Sequence, residues 1–404
     1  MRKNIDFLLI AFIIFILPSS IKVFFPSISS FVDYLQIFCS IVLLIYTMAD
    51  KIKLNGFLIT FFAYIIYLFF VTVFRGVSIV SFGKTYLINL GVLLLINMIF
   101  VKKRMYLLKN IYNFLNLIVL LNLIVMLICH FIYGSYIFPQ FSTYLLGMDN
   151  RFILYFLFQI IIANFLIDKG FIKNKSLYYV YFIDITTLVL VWSASAMVVL
   201  ILLFGYQLLF ANRKKTIPIY FLYYSVILIN IAISFFNIHY VFSYIIVDLL
   251  GKNITLSYRT IIWDFINKNY IFSSLNNFIF GNGFVNLSKL LAIPTPNRFG
   301  VMIILSPEHM HNIIENTLFS GGIIGALIYF HMYQCIIRVL KKIKRQNVFV
   351  FNIYSIILIA IQILLIFDTF EFYPLYYIIL YTMYNVAYEN RNQESLDMEL
   401  EFES

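Results

Sequence analysis

Met310-His311-Asn312-Ile313-Ile314-Glu315-Asn316-Thr317-Leu318-Phe319-Ser320-Gly321-Gly322-Ile323-Ile324-Gly325 marks where the one long polar interruption of this chain, Asn237 to Met310, gives way to apolar sequence again. Before it lie Arg259, Trp263, Gly281, Gly283, Arg298 and His309; after it no Lys or Arg occurs until Arg338. The stretch reads as the mouth of a membrane-crossing helix. Charge at such a place is costly unless it is paired or used. The loop and its exit helix are therefore expected to hold the active site.

The surrounding composition sets the class. Of 404 residues 63% are hydrophobic and 12% charged, against about half and a quarter in soluble domains. The chain reads as an all-α polytopic membrane protein. A span needs about 20 apolar residues, and on that measure about twelve are expected, at 5–25, 31–48, 57–74, 83–100, 111–133, 152–167, 177–192, 195–211, 216–236, 312–337, 348–367 and 373–388. The first run, Ile5 to Phe25, shows no small-residue cleavage pattern and reads as a retained helix. The organisation expected is helices over 1–236, a large loop over 237–311, helices over 312–388 and an acidic tail over 389–404.

Leu177 to Ala211 is too long for one span. Trp192-Ser193-Ala194-Ser195 is where small polar residues can turn the backbone. Splitting it there puts the clusters Arg2-Lys3, Lys102 to Lys109, Arg213 to Lys215 and Arg338 to Arg345 on one side. Inner loops are enriched in Lys and Arg, so both termini are expected in the cytoplasm and the large loop outside. As a single span it would turn the last cluster outward.

The net charge of +11 falls in short clusters between apolar runs, which writes topology and gives no reason to expect nucleic acid. Cys39, Cys129 and Cys335 sit in apolar runs and imply neither disulfides nor a metal site. Within the loop, Ser257 to Phe265 and Asn269 to Phe280 have helical or interfacial periodicity, Gly281-Asn282-Gly283 is a turn signal, and Pro294-Thr295-Pro296 and Ser306-Pro307 are expected to break regular structure. Gly134 to Arg151 is a second outer segment, ending Gly-Met-Asp-Asn-Arg.

Five of these features resemble a known family. His311-Asn312, nine residues, then Gly322-Ile-Ile-Gly325 is similar to the His-[Asn/Ser/Gln]-x9-Gly-x-x-[Gly/Thr/Tyr] pattern of O-antigen ligases and Wzy-type O-antigen and capsular polysaccharide polymerases. Arg259-x3-Trp263, Gly281-Asn-Gly283 and Gly147 to Arg151 resemble further landmarks of the same proteins, as do twelve spans with one large outer loop before the last three. The resemblance covers most of the chain as architecture and about 90 residues as motif, counted from the quoted positions. It departs at Ser193-Ala-Ser195, which lacks the Arg that members often carry there.

The resemblance implies a GT-C-like, metal-independent glycosyltransferase. It would transfer a glycan from a polyprenyl pyrophosphate carrier to an acceptor hydroxyl on the outer face of the cytoplasmic membrane. Its partners would be lipid-linked oligosaccharide donor and acceptor, membrane lipid and a chain-length regulator, with no cofactor. Such chemistry needs a base near neutral pH, which suits His, and planar cations for the pyrophosphate, which suits Arg. The residues expected to carry it are His311 as base or acceptor-positioning group, Asn312 as its neighbour in the hydrogen-bond network, and Arg259 as pyrophosphate clamp. Arg298, Arg151, Arg75 and Lys84 are further anion-site candidates, and Glu315 would orient His311 from one turn on. Gly322 and Gly325 would allow close helix packing. Asp184 and Asp264 rank lower, and His130, His239, His309 and His331 read as ordinary helix or loop residues.

Three functions fit this reading: a polymerase of lipid-linked repeat units, a ligase passing the chain to another acceptor, and a flippase moving the lipid-linked saccharide. Transporters place charge within their helices and keep loops short. Here the outward charge is concentrated in one loop, which favours an enzyme.

Overall fold

The computed structural model describes residues 2–402 apart from 19, 21–24, 134–142, 149–150, 192, 211–215, 237, 245–246, 249–257, 286, 291, 297–301, 306–309 and 345–346. Among the described residues, twelve helices of fourteen residues or more overlap the expected intervals: α1 Arg2–Phe15, α2 Pro26–Ala49, α3 Gly56–Phe74, α4 Ile79–Val101, α5 Met105–Ile128, α6 Phe152–Asp168, α7 Lys175–Val191, α8 Ala194–Phe210, α9 Ile219–Phe236, α10 Ile313–Ile343, α11 Val348–Phe367 and α12 Pro374–Phe402. Seven helices among the described residues are long and apolar enough to cross a membrane, contributed by α2 to α5 and α9 to α11. The chain is a helical membrane protein.

The sequence punctuates these helices where expected, with some corrections. Asn55 starts α3 by accepting from Leu58 N–H, and Asn347 starts α11 by accepting from Val350 N–H. The run from 177 to 211 divides between Val191 and Ala194. The first expected span is not one helix: α1 stops at Phe15, ahead of Pro18, and the next long helix starts at Pro26, which has the fixed φ that suits a first helical position. The last helix does not end at 388 but runs to Phe402.

The loop also holds structure that the prolines concealed. Arg259–Ile266 and Leu275–Phe280 are helical, while Ile293–Pro296 (β3) pairs antiparallel with Met302–Leu305 (β4). Pro294 and Pro296 lie in a two-stranded ribbon, in which both strands are edges, and an edge is where a strand tolerates residues without an N–H. Thr143–Tyr144 (β1) and Gly147–Met148 (β2) form a smaller hairpin between α5 and α6.

α10 is the axis of the bundle, packed against α3, α11, α12 and the Leu275–Phe280 helix. In lipid, apolar burial gives no net drive for helices to associate, so close packing and polar bonds must hold them. Gly325 lets the Tyr67 ring of α3 approach to 3.2 Å of where a Cβ would stand. Tyr329, Tyr333 and Tyr376 form a buried hydroxyl chain between α10 and α12.

Gly322 does more than permit packing. Its φ of 61° and ψ of −166° break α10. Turned out of the helix, the backbone beyond Gly322 cannot serve the carbonyls of the preceding turn in the usual way. The loop does so instead: Asn282 N–H donates to Phe319 O at 2.7 Å, and Gly283 N–H to Ser320 O at 2.9 Å. Tyr67 OH donates to Gly321 O at 2.9 Å. Gly281 has φ +83°, and a Cβ on it would stand 2.5 Å from Gly322 N. Gly281-Asn282-Gly283 is therefore a plug fitted into the break, and it anchors the loop to the helix that follows His311.

Candidate functional site

The residues around His311 are fixed from three directions. Trp263, 1% exposed, donates its indole N–H to Met310 O at 2.6 Å. Asn312 caps α10, its Oδ1 accepting from the N–H groups of Ile314 and Glu315 at 2.9 and 3.1 Å. Its amide nitrogen reaches Asn230 Oδ1 and Ser234 Oγ of α9 at 2.6 and 3.0 Å, and Ile366 O of α11 at 3.1 Å. Between these anchors His311 is left with φ +53°, a left-handed conformation that a β-carbon makes costly. Strain of this kind persists where the surroundings over-determine it.

That backbone decides which carboxylate meets the imidazole. Glu315 stands at i+4 from His311, but His311 precedes the cap and is outside the helix, so helical spacing does not apply. Glu315 turns instead to Asn267, whose Nδ2 donates to its Oε1 at 2.9 Å. Its expected role falls to Asp368, at the end of α11, whose Oδ1 is 3.4 Å from His311 Nδ1 and accepts from Thr369 N–H at 2.8 Å. The His311 side chain is 31% exposed and that of Asp368 15%. Asn312 is also corrected: it is wholly buried with its amide spent on protein groups, so it positions the helix rather than meeting a ligand.

Arg259 begins the helix whose Trp263 touches Met310, and residues four apart share a helix face. Burial pushes its guanidinium pKa down, and the carboxylate of Asp368 acts against that shift. Asp368 thus contacts the imidazole, and its charge also acts on the guanidinium.

Asp368 belongs to a connection between α11 and α12 that sequence reasoning overlooked, Asp368-Thr369-Phe370-Glu371-Phe372-Tyr373. Glu371, 1% exposed, accepts from Tyr64 and Tyr86 hydroxyls at 2.6 and 2.7 Å through Oε1 and from Asn316 Nδ2 at 2.7 Å through Oε2. Its backbone carbonyl accepts from Asn89 at 3.3 Å. Burial raises its pKa, and these three side-chain donors oppose the rise. Arg151 lies over the Tyr373 ring, 4.5 Å from its centre, in a cation–π contact. Two acids between the last two expected spans, opposite a basic loop, were the available signal.

The other expected residues disperse. Lys84 pairs with Asp33 of α2. Arg75, at the end of α3, donates from Nε to Gly281 O at 2.9 Å. Gly281 meets α10 at Gly322, nine residues beyond Ile313, so Arg75 is set about 13 Å along that helix from its start, at 1.5 Å per residue. Arg298 and His309 lie outside the described residues. His311, Arg259, Asp368, Glu371 and Arg151 share one end of the bundle. Their chemistry is that of a general base with an orienting carboxylate and of cations able to hold an anion. No protein-family model, curated protein or solved structure matches the chain.

Proposed function

We propose that this chain is a polysaccharide polymerase, joining oligosaccharide repeat units carried on a polyprenyl pyrophosphate at the outer face of the cytoplasmic membrane. The observation that carries the reading is the contact of His311 with Asp368 at the mouth of α10, a carboxylate whose charge also acts on Arg259. In the same reading all twelve long helices cross the membrane, both termini are cytoplasmic, and the 237–311 loop is outside. That topology places Arg75, Arg151, Arg259, His311 and the 368–373 connection on one side.

The transfer is a displacement at the anomeric carbon of the donor. The acceptor hydroxyl oxygen bonds to that carbon while the bond to the pyrophosphate oxygen breaks. The hydroxyl proton passes to His311 Nε2, and the electron pair leaves with the carrier pyrophosphate. Asp368, accepting from Nδ1–H, sets the tautomer in which Nε2 holds the lone pair and stabilises the imidazolium that forms. Arg259 meets the charge developing on the leaving group, where a preorganised cation contributes most. The 3.4 Å His311–Asp368 contact is long, as such contacts often are before substrate tightens them.

The test is to remove the chain from its host and restore it with His311→Ala or Arg259→Ala, at matched protein level. The polymerase reading expects single repeat units at the surface in all three. Units trapped inside would indicate a flippase, and unattached long chains a ligase. Wild-type chain length in either variant removes that residue from the mechanism.

A further inference from the structure

A second place joins a cation to an apolar cavity. At the end of α3, Tyr67, Phe70, Val71, Phe74, Arg75, Asn276 and Phe280 line a cleft of about 350 Å³. Its walls are aromatic and outward, with Phe70 52%, Phe74 85% and Phe280 45% exposed. Arg75 spends Nε on Gly281 O, yet its Nη2 is buried with no hydrogen-bond partner among the described residues. A charged donor hidden without an acceptor is destabilising, and the guanidinium that carries it lines the cleft, so an anion there would meet its positive charge. Tyr67 cannot serve, because its hydroxyl is already engaged with Gly321 O. Asn276, exposed at the rim, is a second donor available to such an anion.

Depth identifies the class of ligand. Arg75 immediately follows Gly56–Phe74, one of the helices long and apolar enough to span, so it stands at the level where hydrocarbon gives way to headgroups. A free anion has no use for three exposed phenylalanines, and an uncharged lipid has none for the guanidinium. We propose that this cleft binds a phosphorylated membrane lipid, its phosphate on Arg75 and its first methylenes against Phe70, Phe74 and Phe280. The site is separated from His311 by roughly 13 Å of α10 and by the Gly281 plug, and it does not depend on the transfer proposed above.

The experiment measures binding of dioctanoyl phosphatidic acid to the purified full-length protein in detergent, with dioctanoylglycerol and inorganic phosphate in parallel. Saturable binding of the phosphatidic acid alone is expected. Arg75→Gln should weaken it about tenfold or more, the effect of losing charge-assisted hydrogen bonds. Equal binding of inorganic phosphate overturns the proposal in favour of a free-anion site. Equal binding of dioctanoylglycerol overturns it in favour of a plain apolar groove, as does an unchanged affinity in Arg75→Gln. Should Arg75→Gln fail to fold for want of its bond to Gly281, Phe74→Ala carries the test at an exposed position: lower phosphatidic acid affinity supports the site, and unchanged affinity overturns it.

Discussion

Gly322→Ala strikes the join between the loop and α10. At φ 61° a Cβ costs about 1–2 kcal/mol. It would also stand 2.3 Å from Ile279 O and 2.6 Å from Phe280 N, backbone atoms that can yield only by moving the chain. Overpacking of that kind adds about 1–3 kcal/mol, so a loss of about 2–5 kcal/mol is expected in all. The displacement would also strain the Asn282–Phe319 and Gly283–Ser320 hydrogen bonds, which close the break. Gly205→Ala is the control. It lies in α8, where a Cβ meets nothing within 4 Å, and should be neutral or stabilising by up to about 1 kcal/mol. The folded fraction of each purified variant would be followed by circular dichroism as sodium dodecyl sulfate is raised. If Gly322→Ala unfolds within about 0.5 kcal/mol of Gly205→Ala, the plug is not what holds the break.

Asp368→Asn keeps the shape of its side chain but loses the charge that contacts His311 and acts on Arg259, and it should cut polymer formation about 10²-fold or more at unchanged protein level; retention of a tenth or more of activity would remove the dyad. Asn312→Ala strips the cap of α10 and leaves Asn230, Ser234 and the Ile366 carbonyl without its amide, an expected loss of about 2–4 kcal/mol in the same unfolding assay. Glu371→Ala orphans two tyrosine hydroxyls and an amide and should cost about 3 kcal/mol or more. The pH dependence has a definite sign: the folded pKa of Glu371 is raised, so as pH climbs from the ordinary glutamate range through that raised value the unfolded chain has released its proton while the folded one holds it. Stability should fall over that window, and unfolding measured against pH should show a shallower slope in Glu371→Gln.

Apolar run length located the long helices because it reports a requirement of lipid that each segment meets alone. The division at Trp192 to Ser195 was legible for the same reason: small polar residues interrupt a run too long for one helix. The grouping of Arg259, Trp263 and His311 came from the family resemblance, and the structure brings Trp263 against Met310. What stayed hidden depends on partners far apart in the chain. Glu315 was paired with His311 on helical spacing, which fails because the helix starts only after its Asn312 cap. Asp368 and Glu371 act through residues of α3, α4 and α10, and nothing local to 368–373 announces those contacts. Gly322 reads as a packing residue until the plug that completes it is seen.

The connection between α11 and α12 is a common datum. From one end of its six residues the imidazole takes its bearing; from the other, two tyrosines and an asparagine on three different helices take theirs. Inserting a single residue there would throw both sets out of alignment together. Over evolutionary time this short piece should therefore be far stricter in its length than in the identity of its aromatic members.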